Sequence, residues 1–328
     1  MNDFERQIAE FSTQWHDATP TLVLHTSGST GRPKPIRVSK SAMRASAVRT
    51  CQALSLPRGI TSLLCMPMAY VAGRMVCVRA WEWDMRLIVV PPSLHPFATL
   101  DEVPYFAAMT PMQVYETLRV PDEAARLMQV SVLLIGGGAL SPSITTALAH
   151  HPGAYSTYGM TETLSHIALR HVSQNTYRPL AGVTLQRDDR GCLIVSDTHT
   201  GVANLVTNDL VDIQADGRFR ILGRADNTIC SGALKWQIED LETRLSDLPV
   251  PIQVTAVPDT RLGEAIVLLY VAASDTAVDA SLLLEACRLR LPRHALPRHL
   301  VPVAELPQTP TGKPDRPRAR TIARAYLS

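Results

Sequence analysis

Apolar residues recur along this chain with two periods, and the places where one gives way to the other mark its elements. Phe4, Ile8 and Phe11 fall at helical spacing in an amphipathic lead-in over residues 1–19. Thr21-Leu22-Val23-Leu24 is an apolar run after Pro20 and predicts a strand; Pro35-Ile36-Arg37-Val38 alternates and predicts another. Ser39 or Ser41 then caps a helix carrying Met43, Ala47, Cys51 and Leu54 on one face. From 60 to 160 strand-like and helix-like stretches alternate. Ser62-Leu63-Leu64-Cys65-Met66 is a buried-strand run, Ala72 to Trp81 suits a helix, and Leu87-Ile88-Val89-Val90 is a strand closed by Pro91-Pro92. The run from Tyr105 to Met109 precedes Thr110-Pro111, a cap and first-turn pair that opens a helix to Leu118. A strand from Ser131 to Ile135 enters Gly136-Gly137-Gly138, Ser141-Pro142 starts a helix to His150, and a short strand at Ala154-Tyr155 leads into a hydroxyl-rich loop. Such alternation predicts an α/β sheet with helices on both faces, whose ligands bind at the carboxyl ends of the strands.

Beyond residue 180 the texture turns β-rich, with Asp188-Asp189-Arg190-Gly191 and Asp216-Gly217 as hairpin turns. Gly223-Arg224-Ala225-Asp226-Asn227 has no apolar weight and marks a boundary. After it come a helix with Ile238, Leu241 and Leu245, strands over 252–257 and 265–273, a helix from Asp279 to Leu291, and a Pro-rich segment. The fold class is therefore α/β, with a large domain over 1–225 that ends β-rich and a small α+β domain over 226–328. A chain of 328 residues is long enough for two cores.

Composition narrows the function classes. A hydrophobic fraction of 46% fits an ordinary globular protein, and a net charge of +2 supplies no electrostatic footprint for nucleic acid. Six cysteines (51, 65, 77, 192, 230 and 287) form no CxxC pair and no ligand-like spacing with the ten histidines, so a reduced, cytoplasmic protein is expected. The apolar stretch from Ser62 to Trp83 is broken by Pro67, Gly73, Arg74 and Arg79, which excludes a membrane span. Arg316, Arg318, Arg320 and Arg324 read first as a solvated helix face, and second as a surface for a phosphate-rich or acidic partner.

The chemistry concentrates in Thr26-Ser27-Gly28-Ser29-Thr30-Gly31-Arg32-Pro33-Lys34. Glycines let backbone N–H groups and hydroxyls surround phosphate oxygens, and the lysine adds a compact positive charge. A Walker-type loop would run strand–loop–helix with Lys-Ser/Thr straight after its last glycine. Here Arg32-Pro33-Lys34 follows Gly31 and a strand comes next, so that class is excluded. In Ser156-Thr157-Tyr158-Gly159-Met160-Thr161-Glu162-Thr163, Glu162 could ligate Mg²⁺ while Thr161 contacts a phosphate oxygen. The same residues would also suit a helix start, with Thr161 as its cap.

In this order the pieces resemble the adenylate-forming superfamily of acyl- and aryl-CoA synthetases, luciferases and peptide-synthetase adenylation domains. The resemblance rests on Thr26–Lys34, Gly136-Gly137-Gly138-Ala139-Leu140, Tyr158-Gly159-Met160-Thr161-Glu162, Thr207-Asn208-Asp209, Gly223-Arg224-Ala225-Asp226 and Thr311-Gly312-Lys313-Pro314-Asp315-Arg316. It implies that Thr26, Ser27, Gly28, Ser29, Thr30, Gly31 and Lys34 cradle the ATP phosphates. It places Gly137, Gly138, Ala139, Tyr158 and Gly159 on the adenine side, Thr161 on phosphate, Glu162 on Mg²⁺, and Asp209 and Arg224 on the ribose. Asp226 would be the hinge about which the small domain rotates, and Lys313 would stabilise the adenylation transition state. Ser231, Gly232 and Lys235 would lie near the pantetheine of CoA. The implied reaction joins a carboxylic acid to the α-phosphorus of ATP and then to a thiol, with ATP, Mg²⁺ and CoA required.

Only 25 residues precede the phosphate loop, where the family usually carries a leading subdomain. Asn208 stands where glycine is common, Tyr70 where a histidine often sits, and Trp236-Gln237 where aliphatic residues usually run to a proline. The short start and the run from Thr161 to Arg170 most resemble the short form of o-succinylbenzoate–CoA ligases of menaquinone biosynthesis. Such a substrate keeps one carboxylate unactivated; Arg74, Ser165, His166 and Arg170 are the candidates to hold it, with Tyr70 and Gly137 as walls. A different aromatic acid, a carrier protein as acceptor, and a nucleotide-binding protein without turnover are the alternatives, and a homodimer stays open.

Overall fold

The computed structural model describes residues 2–25, 35–272, 279–309 and 312–327. Helix α1 (Asp3–His16) starts in a reciprocal cap: the Glu5 N–H donates to Asn2 Oδ1 at 2.8 Å and the Asn2 N–H to Glu5 Oε2 at 2.9 Å. Its buried face carries Phe4, Phe11 and Trp15, with the Phe11 ring 5.5 Å from that of Trp81. Strands β1 (Thr21–His25) and β2 (Pro35–Ser39), the two strands expected on either side of residues 26–34, pair antiparallel from Thr21↔Ser39 to His25↔Pro35. Residues 26–34 between them, with Thr26, Ser27, Gly28, Ser29, Thr30, Gly31 and Lys34, lie outside the described residues.

After α2 (Lys40–Ala53), capped by Ser39, the chain alternates strand and helix. The order is β3 (Thr61–Leu64), α3 (Val71–Glu82), β4 (Arg86–Val89), β5 (Phe106–Met109), α4 (Pro111–Arg119), α5 (Pro121–Leu127), β6 (Val132–Ile135), α6 (Pro142–Ala147), β7 (Ala154–Gly159), β8 (His166–His171) and β9 (Arg178–Pro179). The seven strands lie in the order β4-β3-β5-β6-β7-β8-β9, parallel as far as β7 and antiparallel beyond. Parallel strands are covered on both faces, which is why they read as unbroken apolar runs. Leu64, Phe106, Ala108 and Leu134 pack with Met43, Ala47, Met75 and Val76 of α2 and α3, while Leu63, Ala107, Leu133 and Ile135 face Val114, Leu127 and Ile144 on the other side.

A four-stranded sheet follows: β10 (Val183–Arg187), β11 (Cys192–Asp197), β12 (Val202–Ile213) and β13 (Phe219–Arg224) in that order, with Gly191 and Gly217 at positive φ in the two Asp/Gly turns. The chain divides into two compact units, one of residues 1–186, 194–206 and 213–220, the other of 187–193, 207–212 and 221–328. The second holds β14 (Thr228–Ser231), β15 (Leu234–Gln237), α7 (Ile238–Arg244), β16 (Ile252–Asp259), β17 (Gly263–Val271), α8 (Ala280–Arg288), β18 (His299–Val303) and α9 (Arg316–Leu327). Its sheet runs β15-β14-β17-β16, with β18 parallel to β17, over a core of Leu241, Ile266, Leu268, Leu283 and Cys287.

Two sequence expectations need correction. The stretch from Ser156 to Gly159 is not loop: β7 continues through it, because pairing with β8 (Tyr155↔His171 to Tyr158↔Ala168) keeps the backbone extended. Helix does not start at Thr161 either; Thr161–Thr163 is a single 3₁₀ turn that reverses the chain into β8. The short elements α5, β14, β15 and β18 carry too few residues for a periodic signal. Among the described residues no helix is long and apolar enough to cross a membrane.

Candidate active site

The carboxyl ends of β6 and β7 present the glycine run and the Tyr158–Glu162 motif side by side, as their pairing from Leu133↔Ala154 to Ile135↔Ser156 dictates. The glycines differ in what a side chain would meet. At Gly136 a Cβ would overlap Thr157 Oγ1; at Gly137, with φ +90°, it would meet open space, and at Gly138 only Pro111 Cγ at 3.6 Å. Gly136 is therefore a packing glycine, while Gly137 and Gly138, with Ala139, line exposed space that can admit a flat ligand. Tyr158 is buried, its ring centroid 5.4 Å from Phe219 and 6.1 Å from Tyr177. At Gly159 the register with β8 shifts, and a Cβ there would overlap the Ser165 carbonyl and His166 Cα. Thr161 is buried and Glu162 exposed. Among the described residues no group of three or more His, Cys, Asp or Glu could hold a metal. A lone exposed carboxylate suits Mg²⁺, which keeps several waters and takes the rest of its ligands from substrate phosphates.

The turn after Glu162 is tightly held. Thr163 Oγ1 accepts the Met160 N–H at 3.0 Å and donates to the Ser165 carbonyl at 2.8 Å. Leu164 adopts φ +64°, a conformation unfavourable for leucine, with its side chain buried in the core. Ser165 and His166 are thereby turned toward α2 and α3. There Arg79 Nη2 donates to Ser165 Oγ at 3.1 Å, Ser165 Oγ lies 3.3 Å from His166 Nδ1, and His166 Nε2 lies 3.1 Å from Thr50 Oγ1. Burial, then the charges of Arg79 and Arg49, hold His166 well below the ordinary imidazole range, so the ring is neutral. Burial pushes the Arg79 guanidinium down to about 10.

The two buried arginines are not equivalent. Each has two nitrogens without a partner among the described residues, Nε and Nη2 in Arg49, but Arg49 has a carboxylate beside it: it pairs with buried Asp197 at 2.7 Å and also donates to the Ala181 carbonyl. Arg79 is 4% exposed, and its Nε and Nη1 have no partner among the described residues. A buried guanidinium in that state calls for an anion. Arg79 was not among the residues read from sequence as candidates; its signal was a single cation within Met75–Ala80, a stretch buried throughout. Arg74, which was a candidate, donates to the Met68 and Val23 carbonyls at 2.9 and 3.2 Å and lies over the Phe11 ring. Arg170 donates to the Val172 and Gln174 carbonyls and lies over Tyr177. Both arginines are thus engaged in holding their own surroundings. Tyr70 is half-buried at the start of α3, without a side-chain cap bond.

In the second unit, Arg224 Nη1 donates to Asp209 Oδ1 at 2.9 Å while Nε and Nη2 grip Asp226 at 2.8 and 2.7 Å. Asn208, in place of the common glycine, donates to Asp226 at 3.4 Å. Lys313 sits in a turn closed by Thr309 N–H to the Lys313 carbonyl at 2.8 Å and Lys313 N–H to Thr309 Oγ1 at 3.2 Å, with Gly312 at φ +75°. Burial and the Arg224 charge lower the Lys313 pKa, against the opposing pull of Asp209. Ser231 is buried, Gly232 and Ala233 both take positive φ in the β14–β15 turn, and Lys235 is exposed. Of the arginine cluster, Arg316 forms a fork with Glu242 at 2.5 and 2.6 Å, and Arg320 pairs with Glu264.

A family model described as AMP-binding enzyme matches residues 4–201, and one described as AMP-binding enzyme C-terminal domain matches 250–313. A probable 2-succinylbenzoate–CoA ligase of Mycobacterium tuberculosis is 29% identical over 331 residues, which cover 92% of this chain and 84% of that protein. A solved acyl-CoA synthetase (AMP-forming)/AMP-acid ligase II-like protein from Dyadobacter fermentans is 33% identical with a TM-score of 0.65, and the match covers 100% of this chain and 95% of that one. The o-succinylbenzoate CoA synthetase of Bacillus subtilis, solved with ATP and magnesium, has a TM-score of 0.77 over 90% of this chain and 69% of that one; at 19% identity the likeness is one of fold.

Proposed function

The chain belongs to the AMP-binding enzyme family, and from that premise we propose that it activates an aromatic dicarboxylic acid, o-succinylbenzoate, as an acyl-adenylate and transfers it to CoA. The observation that carries the substrate class is Arg79: a buried guanidinium with two unpaired nitrogens matches a second carboxylate, bound by charge-assisted hydrogen bonds. An acid with one carboxylate, consumed in the reaction, would leave that cation uncompensated. The relative in Mycobacterium tuberculosis, named for this activity, supports the same substrate.

In this reading the carboxylate to be activated attacks the α-phosphorus of ATP and pyrophosphate leaves. Gly137, Gly138, Ala139, Tyr158 and Gly159 take the adenine, Asp209 and Arg224 the ribose hydroxyls, and Thr161 a phosphate oxygen. Lys313 supplies positive charge as phosphate oxygens gain negative charge in the transition state. Glu162 would hold Mg²⁺, which would supply neutralisation of phosphate charge. Residues 1–225 form the adenylation domain and 226–328 the mobile domain, rotating about Asp226 so that Ser231, Gly232 and Lys235 can meet CoA.

Pyrophosphate release on adding ATP, Mg²⁺ and a panel of acids tests the reading. We expect o-succinylbenzoate to exceed benzoate and other monocarboxylates, with CoA rather than a holo-carrier protein as acceptor. Equal rates with benzoate would overturn the substrate, and turnover only with a carrier would overturn the acceptor.

A further inference from the structure

Which way the free nitrogens of Arg79 point depends on a chain of hydrogen bonds that runs from α3 through the Ser165 turn into α2. We infer that His166 is a positioning residue, locked as the Nε2–H tautomer by Thr50, and that its bare Nδ1 orients Ser165 so that Ser165 in turn aims Arg79. This rests on the reading of Arg79 as the carboxylate anchor.

The direction of the chain follows from counting protons. Thr50 Oγ1 has one hydrogen, and the Ser46 carbonyl, 3.0 Å away, can only accept. With that hydrogen spent, Thr50 Oγ1 accepts from His166 Nε2 at 3.1 Å. The ring is neutral, so Nδ1 carries no proton and accepts from Ser165 Oγ at 3.3 Å. Ser165 Oγ then keeps a lone pair for Arg79 Nη2 at 3.1 Å. Every bond has one donor and one acceptor, and the guanidinium plane is fixed with Nε and Nη1 left over for a ligand. In the other tautomer Nδ1–H would compete with Arg79 for the Ser165 lone pairs, Nε2 would compete with the Ser46 carbonyl for Thr50's only proton, and the Ser165 hydrogen would need a new acceptor. His166 and Thr50 thus act on the acid without touching it.

The test uses the whole enzyme and compares kcat/KM for pyrophosphate release between o-succinylbenzoate and a monocarboxylate of the same ring. His166→Leu removes the acceptor at Nδ1, and the dicarboxylate preference should fall about tenfold, the size of one hydrogen bond to a charged group. The loss should lie in KM for the acid. His166→Asn returns an acceptor near the Nδ1 position and should restore most of the preference; Thr50→Val should lower it less than His166→Leu. In ¹⁵N spectra of histidine-labelled wild-type protein the His166 signals should be those of a neutral Nε2–H ring. Equal losses on both acids, or no rescue by His166→Asn, would reduce His166 to a structural residue. A neutral Nδ1–H ring would overturn the inference by itself, whether or not any variant folds. If wild-type enzyme shows no dicarboxylate preference, the reading of Arg79 fails, while the spectrum still decides the tautomer.

Discussion

Replacing Arg79 by methionine should make the protein more stable and less able to use its acid. The side chain lies on α3 against the core, 4% exposed; among the described residues it has one hydrogen bond, to Ser165, and two nitrogens unpaired. Each unpaired buried donor costs about 1–3 kcal/mol, so the two together cost about 2–6 kcal/mol. Losing the bond to Ser165 gives back about 1.5–3 kcal/mol of destabilisation, the range for a bond to a charged group. The midpoints of the two ranges, about 4 and about 2 kcal/mol, leave a gain of about 2 kcal/mol, in line with apolar replacements of buried ions. For a unit of roughly 200 residues this raises the unfolding midpoint by about 4–8 °C. Differential scanning calorimetry should show that rise for the transition of the large unit. A second arm adds o-succinylbenzoate alone: at a hundredfold excess over its Kd it should stabilise the wild-type protein by about 2.7 kcal/mol and the variant hardly at all. A lower midpoint in Arg79→Met, or an undiminished shift with the acid, would refute the reasoning.

Further outcomes follow from other parts of the molecule. Lys313→Ala should abolish pyrophosphate release yet largely spare thioester formation from a supplied acyl-adenylate; equal loss of both half-reactions would contradict the two-step assignment. Because burial and Arg224 lower the Lys313 pKa, the alkaline limb of adenylation should fall below that of an ordinary lysine. Arg224→Gln should move that limb to higher pH and Asp209→Asn to lower pH, both read at saturating ATP. Gly138→Ala should fold normally and raise the KM for ATP, whereas Gly159→Ala should lose more than about 2 kcal/mol, since its Cβ would overlap backbone of the Ser165 turn. Asp197→Ala strips Arg49 of its buried partner and should cost about 3–5 kcal/mol in urea unfolding.

The strands of the large sheet were legible because their two buried faces leave continuous apolar runs, and the helices because caps such as Ser39 and Thr110-Pro111 announce them. The two strands flanking residues 26–34 were equally plain. What the sequence hid was set by partners distant along the chain. Strand β7 runs to Gly159 because β8 pairs with it, although Ser156-Thr157-Tyr158-Gly159 by composition suits a loop. Arg74 was a candidate to hold the acid, yet carbonyls of residues 23 and 68 take its donors. Arg79 lies five residues further on, and only the fold reveals that nothing described pairs with its Nε and Nη1.

The helix of residues 316–327 bears on the order in which the chain becomes competent. Its Arg316 grips Glu242, whose Oε1 also accepts the Val254 N–H, and Ala319 and Ala323 seal the core of β16 and β17. The turn holding Lys313 is therefore pinned across more than 70 residues of sequence, a closure that forms late because its loop entropy must be met first. A polypeptide emerging during synthesis can complete its large sheet long before its lysine has a fixed place. On the role proposed for Lys313, adenylating power should arrive only once this closure has formed.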